Sequence, residues 1–316
     1  MDKSARIFVA GHRGMAGSAL LRNLASRGYG NVVTRNRADL DLTDQAGVEQ
    51  FFREEAIDVV ILAAAKVGGI LANDTYPADF LYLNLIIQAN VIHSAFRAGV
   101  QRLLFLGSSC IYPREAGQPI KEEYLLDGPL ERTNEPYAIA KIAGIKLCEA
   151  FNRQFGTRYI SLMPTNLYGP NDNYDLKTSH VLPALLRKAH EAKVNGASNL
   201  AVWGTGRARR EFLHVDDMAD AAVFMLERGI EGGWYNVGCG TDVTIEELAR
   251  AAMHAVGFDG GIEFDISKPD GTPQKLLDVS KLAELGWCAK IGLQEGLAAT
   301  YEDFLLCHET QVLERA

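Results

Sequence analysis

The stretch Gly11-His12-Arg13-Gly14-Met15-Ala16-Gly17 follows the apolar run Ile7-Phe8-Val9-Ala10 and precedes a helical period over 16–27. A buried strand that turns on glycine into a helix N-terminus leaves few folds open. Glycine permits the turn and a close backbone approach to a ligand, and the unpaired N–H groups at the helix start attract a pyrophosphate. The spacing is G-x-x-G-x-x-G rather than G-x-G-x-x-G, with the same physical roles. We expect Gly11, His12, Arg13, Gly14, Met15, Ala16 and Gly17 to hold a dinucleotide. The plainer reading is a glycine-rich turn with no ligand.

Downstream, short apolar runs alternate with helical periods. Strands are expected at 31–35, 58–62, 101–107 and 159–163. Helices are expected at 43–55, capped by the Thr43 hydroxyl, at 77–98, with Pro77 in the first turn, and at 136–155. That alternation predicts an α/β protein built on a doubly wound, Rossmann-type parallel sheet. After Asn166 the texture changes to loops, short helices and basic clusters. A smaller, mostly C-terminal substrate-binding lobe is expected there. The division expected is 1–166 with 212–238 for the dinucleotide-binding domain, and 167–211 with 239–316 for the substrate lobe.

Composition excludes several classes. A net charge of −8 gives no footprint for nucleic acid. No apolar stretch approaches the ~18 residues of a membrane span. Met1-Asp2-Lys3-Ser4-Ala5-Arg6 is charged and the run after it is broken by Gly11, so no signal peptide is expected and the cytoplasm is the expected home. Five cysteines without C-x-x-C spacing argue against a disulfide framework and against a metal site.

The chemistry concentrates at Ser108 and in Asn134-Glu135-Pro136-Tyr137-Ala138-Ile139-Ala140-Lys141. Tyr137 and Lys141 share a helix face, where the cation would favour ionisation of the phenol. Such a phenol can exchange a proton with a sugar oxygen while hydride moves at the adjacent carbon. Ser108, at the carboxyl edge of the fourth strand, can bond the same oxygen. The second strand ends in Thr34-Arg35-Asn36-Arg37 with no carboxylate before Asp39. Arg35 and Arg37, with Arg13 in the glycine loop, therefore point to NADP(H) through its 2′-phosphate. On the residues alone, Cys110 reads equally as an inert buried thiol or as a base.

The glycine loop, Ser108, Tyr137, Lys141 and Phe212-Leu213-His214-Val215-Asp216-Asp217 together resemble the extended, nucleotide-sugar branch of the short-chain dehydrogenase/reductase superfamily. Within it the chain looks like the GDP-L-fucose synthase family, the GDP-4-keto-6-deoxy-mannose 3,5-epimerase/4-reductases. The stretches that carry this are GHRGM at 11–15, AAAKVGGI at 63–70, LGSSCIYP at 106–113, NEPYAIAKIAGIKLCE at 134–149, MPTNLYGPNDN at 163–173, REFLHVDDM at 210–218 and KPDGTP at 268–273. A sugar dehydratase of the same branch would carry Asp-Glu where this chain has Cys110-Ile111.

The resemblance implies that GDP-4-keto-6-deoxy-D-mannose is inverted at C3 and C5, with Cys110 as base and His180 as acid. It is then reduced at C4 by NADPH, with Ser108, Tyr137 and Lys141 at the oxygen, to give GDP-L-fucose. It also implies cofactor contacts at Arg37, Leu106, Gly107, Ser108, Ser109, Lys141, Pro164, Thr165, Asn166, Leu167 and His180. Nucleotide-sugar contacts are implied at Lys188, Trp203, Arg210 and Asp270. Lys188 and Arg210 belong to a wider set of cations expected to converge on the diphosphate, with Arg187, Arg207 and Arg209. A homodimer is implied, paired through the helices at 77–98 and 136–155. Two alternatives remain at this level: a nucleotide-sugar 4-epimerase that retains NAD, and a catalytically silent dinucleotide-binding scaffold.

Overall fold

Ile7–Ala10 (β1) is buried along its whole length because both faces of its sheet are covered. Its side chains alternate between two cores: Phe8 and Ala10 enter one, Ile7 and Val9 the other. The computed structural model describes residues 1–268 and 270–313, with side chains of the final helix described as far as Cys307.

The chain runs from β1 into α1 (Met15–Ser26), β2 (Val32–Val33), α2 (Gln45–Glu54), β3 (Val59–Leu62), α3 (Ile70–Thr75) and α4 (Pro77–Arg97). It continues through β4 (Arg102–Leu106), α5 (Glu135–Phe155), β5 (Arg158–Pro164), β6 (Asn166–Tyr168), α6 (Val181–Val194) and β7 (Asn199–Trp203). Then come β8 (Arg209–His214), α7 (Val215–Arg228), β9 (Gly233–Val237), β10 (Asp242–Thr244), α8 (Ile245–Val256) and β11 (Gly261–Asp265). The described chain ends with β12 (Gln274–Lys275), α9 (Ser280–Glu284) and α10 (Leu293–Leu313).

Among the described residues, six strands form one parallel sheet in the order β2-β1-β3-β4-β5-β9. The order reverses at β1, where a doubly wound sheet opens a ligand crevice at its carboxyl edge. On one face, residues of α2, α4 and α5, including Phe51, Val91, Ile92 and Ile145, pack on Phe8, Val60, Leu103 and Phe105. On the other face, Leu20 and Leu24 of α1 and Met218, Ala222 and Met225 of α7 pack on Ile7, Ile61, Leu104 and Leu162. The expected sheet and its two helical layers are therefore present, with element ends shifted by a few residues.

Two local readings change. The helix at 45–54 is capped by Asp44, whose carboxylate accepts from the Ala46 N–H. Thr43 instead donates its hydroxyl to Asp41 at 2.7 Å. An acceptor one residue nearer the first turn reaches the free N–H better. The segment after Asn166, read as loop, begins with β6, which pairs with β8.

A third core lies away from this sheet. Leu182, Leu185 and Leu186 of α6, Leu248 and Ala252 of α8, Leu200 and Val202 of β7 and Leu297 of α10 pack together. Strand β8 serves both regions, with Leu213 in the α1/α7 core and Phe212 in this third one. Strand β8 pairs with β10 antiparallel and with β12 in parallel. The latter register sets Gln274 beside Arg209 and Lys275 beside Arg210. The Arg209 guanidinium and the Gln274 amide both donate to Asp242, at 2.8 and 2.6 Å. Paired positions share a face and neighbours along a strand alternate, so Arg210 and Lys275 lie together on the opposite face.

Among the described residues no helix is long and apolar enough to cross a membrane. All five cysteines are free; Cys110 and Cys148 are buried.

Candidate active site

The glycine loop is shaped so that side chains would fill it. Gly11 adopts φ +88°, and a Cβ there would stand 2.6 Å from the Ala64 backbone nitrogen. A Cβ on Gly17 would stand 2.1 Å from the Gly11 carbonyl oxygen. Helix α1 has Gly14 as its N-cap, with no capping side chain and no acidic residue in its first turn. Its leading N–H groups are thus left to an anion, which is the fit a pyrophosphate needs. Arg13 is exposed beside it.

The basic residues after β2 divide. Arg35 is ion-paired with Glu55, donates to the Thr34 carbonyl at 2.9 Å and lies over the Phe51 ring. Its guanidinium is therefore already engaged, against the expectation that it would meet a phosphate. Arg37 is 81% exposed, with Asp41 at 3.6 Å as its ion-pair partner.

The reacting groups come from three elements. Strand β4 ends at Leu106, and Gly107 donates its N–H to the Leu162 carbonyl at 2.8 Å, so the sheet edge is closed just before Ser108. The Ser108 hydroxyl then caps a 3₁₀ turn, Ser109–Ile111, accepting from the Cys110 N–H at 3.3 Å. Cys110 is 8% exposed. Burial pushes its thiol up, opposed by Lys275 first, then Ser108 and Lys141.

Helix α5, with Pro136 in its first turn, presents Tyr137 and Lys141 on one face. The Lys141 ammonium is buried, donates to the Leu106 carbonyl at 2.8 Å, and sits 5.7 Å from the Tyr137 ring centre. Burial brings Lys141 down to about 8. Burial also pushes the Tyr137 phenol up, and Cys110 adds to the rise. Against the sequence-based expectation that Lys141 would tip the phenol toward ionisation, burial and then Cys110 favour its protonated form. A phenol held protonated is suited to giving a proton rather than taking one.

His180 stands at the N-cap of α6 without a side-chain cap bond. It opens to the surface yet is crowded by protein, and burial first, Lys275 second, pushes its imidazole down. The 178–180 loop rests on Gly69, whose N–H donates to the Thr178 carbonyl at 2.9 Å. A Cβ on Gly69 would meet the Ser179 carbonyl oxygen at 2.6 Å.

Pro164 ends β5, and Thr165, Asn166 and Leu167 follow it. The Thr165 hydroxyl and the Asn166 amide both donate to the Glu211 carbonyl, at 3.2 and 2.8 Å. Those side-chain donors are spent joining β5 and β6 to β8. The Glu211 side chain is fully buried and accepts from the Gly240 and Leu277 N–H groups, at 2.7 and 3.0 Å.

Beyond this lies a line of polar groups. Arg210 is drawn to Asp270, which accepts from the Thr205 N–H at 2.6 Å and its hydroxyl at 2.8 Å. Trp203, 53% exposed, has the Lys188 and Lys268 ammoniums 5.0 and 5.5 Å from its ring centre. Lys188, Trp203, Arg210 and Asp270 therefore lie along one region. Arg187 and Arg209 are engaged elsewhere: Arg187 bonds Glu191 and the Tyr174 carbonyl, and Arg209 bonds Asp242. Arg207 is exposed.

Sequence reasoning missed Lys275, which acts electrostatically on Cys110, His180 and Arg210 alike. No local pattern marks it. The signal that would have found it is the strand pairing that brings Lys275 beside Arg210.

The model of the NAD dependent epimerase/dehydratase family matches residues 7–238. GDP-L-fucose synthase 1 of Arabidopsis thaliana is 61% identical over 96% of this chain and 94% of its own length. GDP-L-fucose synthase of Escherichia coli K12 is 57% identical over 95% of this chain and 96% of its own length. A solved GDP-L-fucose synthetase of Naegleria fowleri with NADP bound superposes with a TM-score of 0.89 at 28% identity, covering 98% of this chain and 96% of that one. With a glycine cradle at the head of α1 and a Ser-Tyr-Lys set at the carboxyl edge of the sheet, the chain belongs to the NAD dependent epimerase/dehydratase family and, within it, to the GDP-L-fucose synthases.

Proposed function

We propose that this chain converts GDP-4-keto-6-deoxy-D-mannose to GDP-L-fucose, by inversion at C3 and C5 and then reduction at C4. The observation that carries the reading is Cys110, a thiol on the Ser108-capped turn within electrostatic reach of Tyr137 and Lys141. A plain reductase needs no such group. C3–H and C5–H are acidified by the C4 carbonyl. The Cys110 thiolate takes each proton, and the electron pair moves to O4. The Ser108 and Tyr137 hydroxyls donate to that oxygen as charge develops. His180 returns a proton on the opposite face. NADPH supplies the hydride that reaches C4. Tyr137, held protonated by its burial, then gives its proton to O4. Lys141, anchored on the Leu106 carbonyl, has further N–H groups for the nicotinamide ribose.

Gly11 to Gly17 and the head of α1 would hold the pyrophosphate, with Arg13 and Arg37 at the 2′-phosphate. Leu106, Gly107, Ser109 and Pro164 to Leu167 would border the nicotinamide end, Thr165 and Asn166 through backbone. Trp203 would carry an aromatic or sugar face, Lys188 and Arg210 the diphosphate, and Asp270 a donor on the base or sugar. Arg37→Ala is expected to raise the KM for NADPH about tenfold and leave that for NADH unchanged, the loss of one charge-assisted contact. Parallel steady-state titrations read it.

Gly69→Ala should displace the loop that ends in His180. The clash is with backbone, which cannot swing aside, so the wash-in of solvent deuterium at C3 and C5 is expected to drop about tenfold or more while NADPH binding holds. Cofactor fluorescence and NMR of the recovered sugar separate the two.

On this reading the chain divides into a cofactor domain (1–166 with 212–238) and a sugar lobe (167–211 with 239–316). The third core around α6 and α8 supports it. We also read the protein as a cytoplasmic homodimer paired through α4 and α5, which keep Tyr82, Ile139 and Phe155 exposed; light scattering in solution reads the mass. The deciding experiment is NADPH oxidation with GDP-4-keto-6-deoxy-mannose. Stoichiometric consumption with a GDP-L-fucose product is expected. Epimerisation without net consumption would favour the NAD-retaining 4-epimerase, and no turnover would overturn the assignment.

A further inference from the structure

Residues 63–69 leave β3 at the carboxyl edge of the sheet and touch both halves of the site. At the start of this loop the Ala63 N–H donates to the Ala10 carbonyl at 3.0 Å, against the glycine cradle. At its end the Gly69 N–H donates to the Thr178 carbonyl, two residues before His180. Packing of its own side chains does not fix the loop, because Val67 is exposed, as are Ile70 and Leu71 just beyond it. Two buried asparagines hold it instead. Asn84 of α4 accepts from the Lys66 N–H at 2.9 Å and donates to the Lys66 carbonyl at 3.0 Å. Asn73 of α3 donates to the Gly68 and Gly69 carbonyls at 2.7 and 3.0 Å. The Asn73 Oδ1 is buried with no partner among the described residues. An apolar side chain of that size would bury no unpaired oxygen, so the two donors are what the position uses.

We propose that Asn73 is a positioning residue for His180: its amide clips the Gly68 and Gly69 carbonyls and so fixes the Gly69 N–H on which the 178–180 segment sits. Its catalytic consequence rests on the epimerase reading above, its geometry on hydrogen bonds. The 173–179 turn organises itself. Asp175 accepts from the Lys177 and Thr178 N–H groups and from the Thr178 hydroxyl, to which Asn173 also donates. Those bonds give the turn a shape, and Gly69 gives it a place relative to the cofactor-binding half. A Cβ on Gly68 would stand 3.1 Å from the Ala72 Cβ and 3.2 Å from the Phe80 Cζ. The loop therefore lies flat on α3 and α4, and a shift at Gly68 passes on to Gly69. The Phe80 ring in turn meets Tyr137 edge-on, so the clip refers His180 to the same packed edge that holds the proton donor for reduction. Inversion needs the acid on the face opposite the base, and a displacement of about 1 Å in such a group can cost about 10²-fold.

The test is amide hydrogen exchange of the full-length protein, read by mass spectrometry, beside deuterium wash-in at C3 and C5 of the sugar. In Asn73→Leu the amides of 177–181 are expected to exchange about tenfold faster, the protection one hydrogen bond confers. Those of β3 should not change, which a general loosening of the core would not allow. Wash-in at saturating sugar should fall about tenfold with KM unchanged, as for a misplaced group rather than lost binding. In the double variant with Gly69→Ala the two losses should not multiply, because both break one link. Asn73→Ala is the second variant should Asn73→Leu fail to fold; if neither folds, Asn73 is a stability residue and the proposal falls. Unchanged exchange at 177–181 in a folded variant, or multiplied losses in the double variant, overturns it as well. Hydrogen exchange needs no sugar, so a wild-type protein that shows no wash-in would instead sink the epimerase reading.

Discussion

Tyr137→Phe is expected to cut NADPH-dependent reduction by roughly 10²- to 10⁴-fold, the usual weight of a positioned proton donor. Only a hydroxyl is removed. The ring keeps its edge contact with Phe80, 6.3 Å between centres, and Lys141 keeps its bond to the Leu106 carbonyl. The fold and the cofactor cradle should therefore persist. Exchange at C3 and C5 should survive better, down about tenfold, because Ser108 still donates to the developing charge on O4 when one hydrogen bond is lost. NADPH absorbance follows the first quantity and NMR of the sugar in deuterated buffer the second. A variant that loses exchange but reduces a pre-inverted ketone normally would refute the role.

Cys110→Ser should show the opposite pattern. The side chain is nearly isosteric and the 3₁₀ turn keeps its Ser108 cap through the residue 110 N–H. What disappears is an ionisable base, since an alcohol holds its proton far more tightly than a thiol. Wash-in at C3 and C5 is expected to fall by roughly 10²- to 10⁴-fold, with cofactor affinity unchanged by fluorescence titration. Turnover to GDP-L-fucose falls with it, because reduction of the unepimerised ketone leads to a different sugar. Wild-type exchange in Cys110→Ser would assign the base elsewhere. Comparison of the two variants matters more than either alone, since each removes one stage and spares the other.

The parts of this site that lie close in sequence were legible in it. The glycine turn, the Ser108 cap and the one-turn spacing of Tyr137 and Lys141 follow from period and local turn chemistry. The parts set by long-range register were not. Arg35 and Arg37 look alike in sequence, yet Glu55 claims the first and leaves the second exposed. Arg209 and Arg210 look alike too, and strand pairing turns one toward Asp242 and the other toward Asp270. Lys275 carries no motif of its own. The direction of the Tyr137 shift was also hidden, because the sequence names the neighbouring cation but not the packing around the phenol, nor Cys110 beside it, which raise it.

The β8–β12 pairing has a consequence for variation by insertion and deletion. Residues 204–208 connect β7 to β8, with Gly204, Gly206 and Ala208 buried and Thr205 and Arg207 exposed, whereas a surface loop ordinarily tolerates a change of length. Here one residue gained or lost there, if absorbed by sliding β8, would exchange the faces of Arg209 and Arg210 and carry the Glu211 carboxylate away from the Gly240 and Leu277 N–H groups onto the face of buried Phe212. This connection is thus held to a fixed count, and natural variants should change its exposed Arg207 far more often than its length.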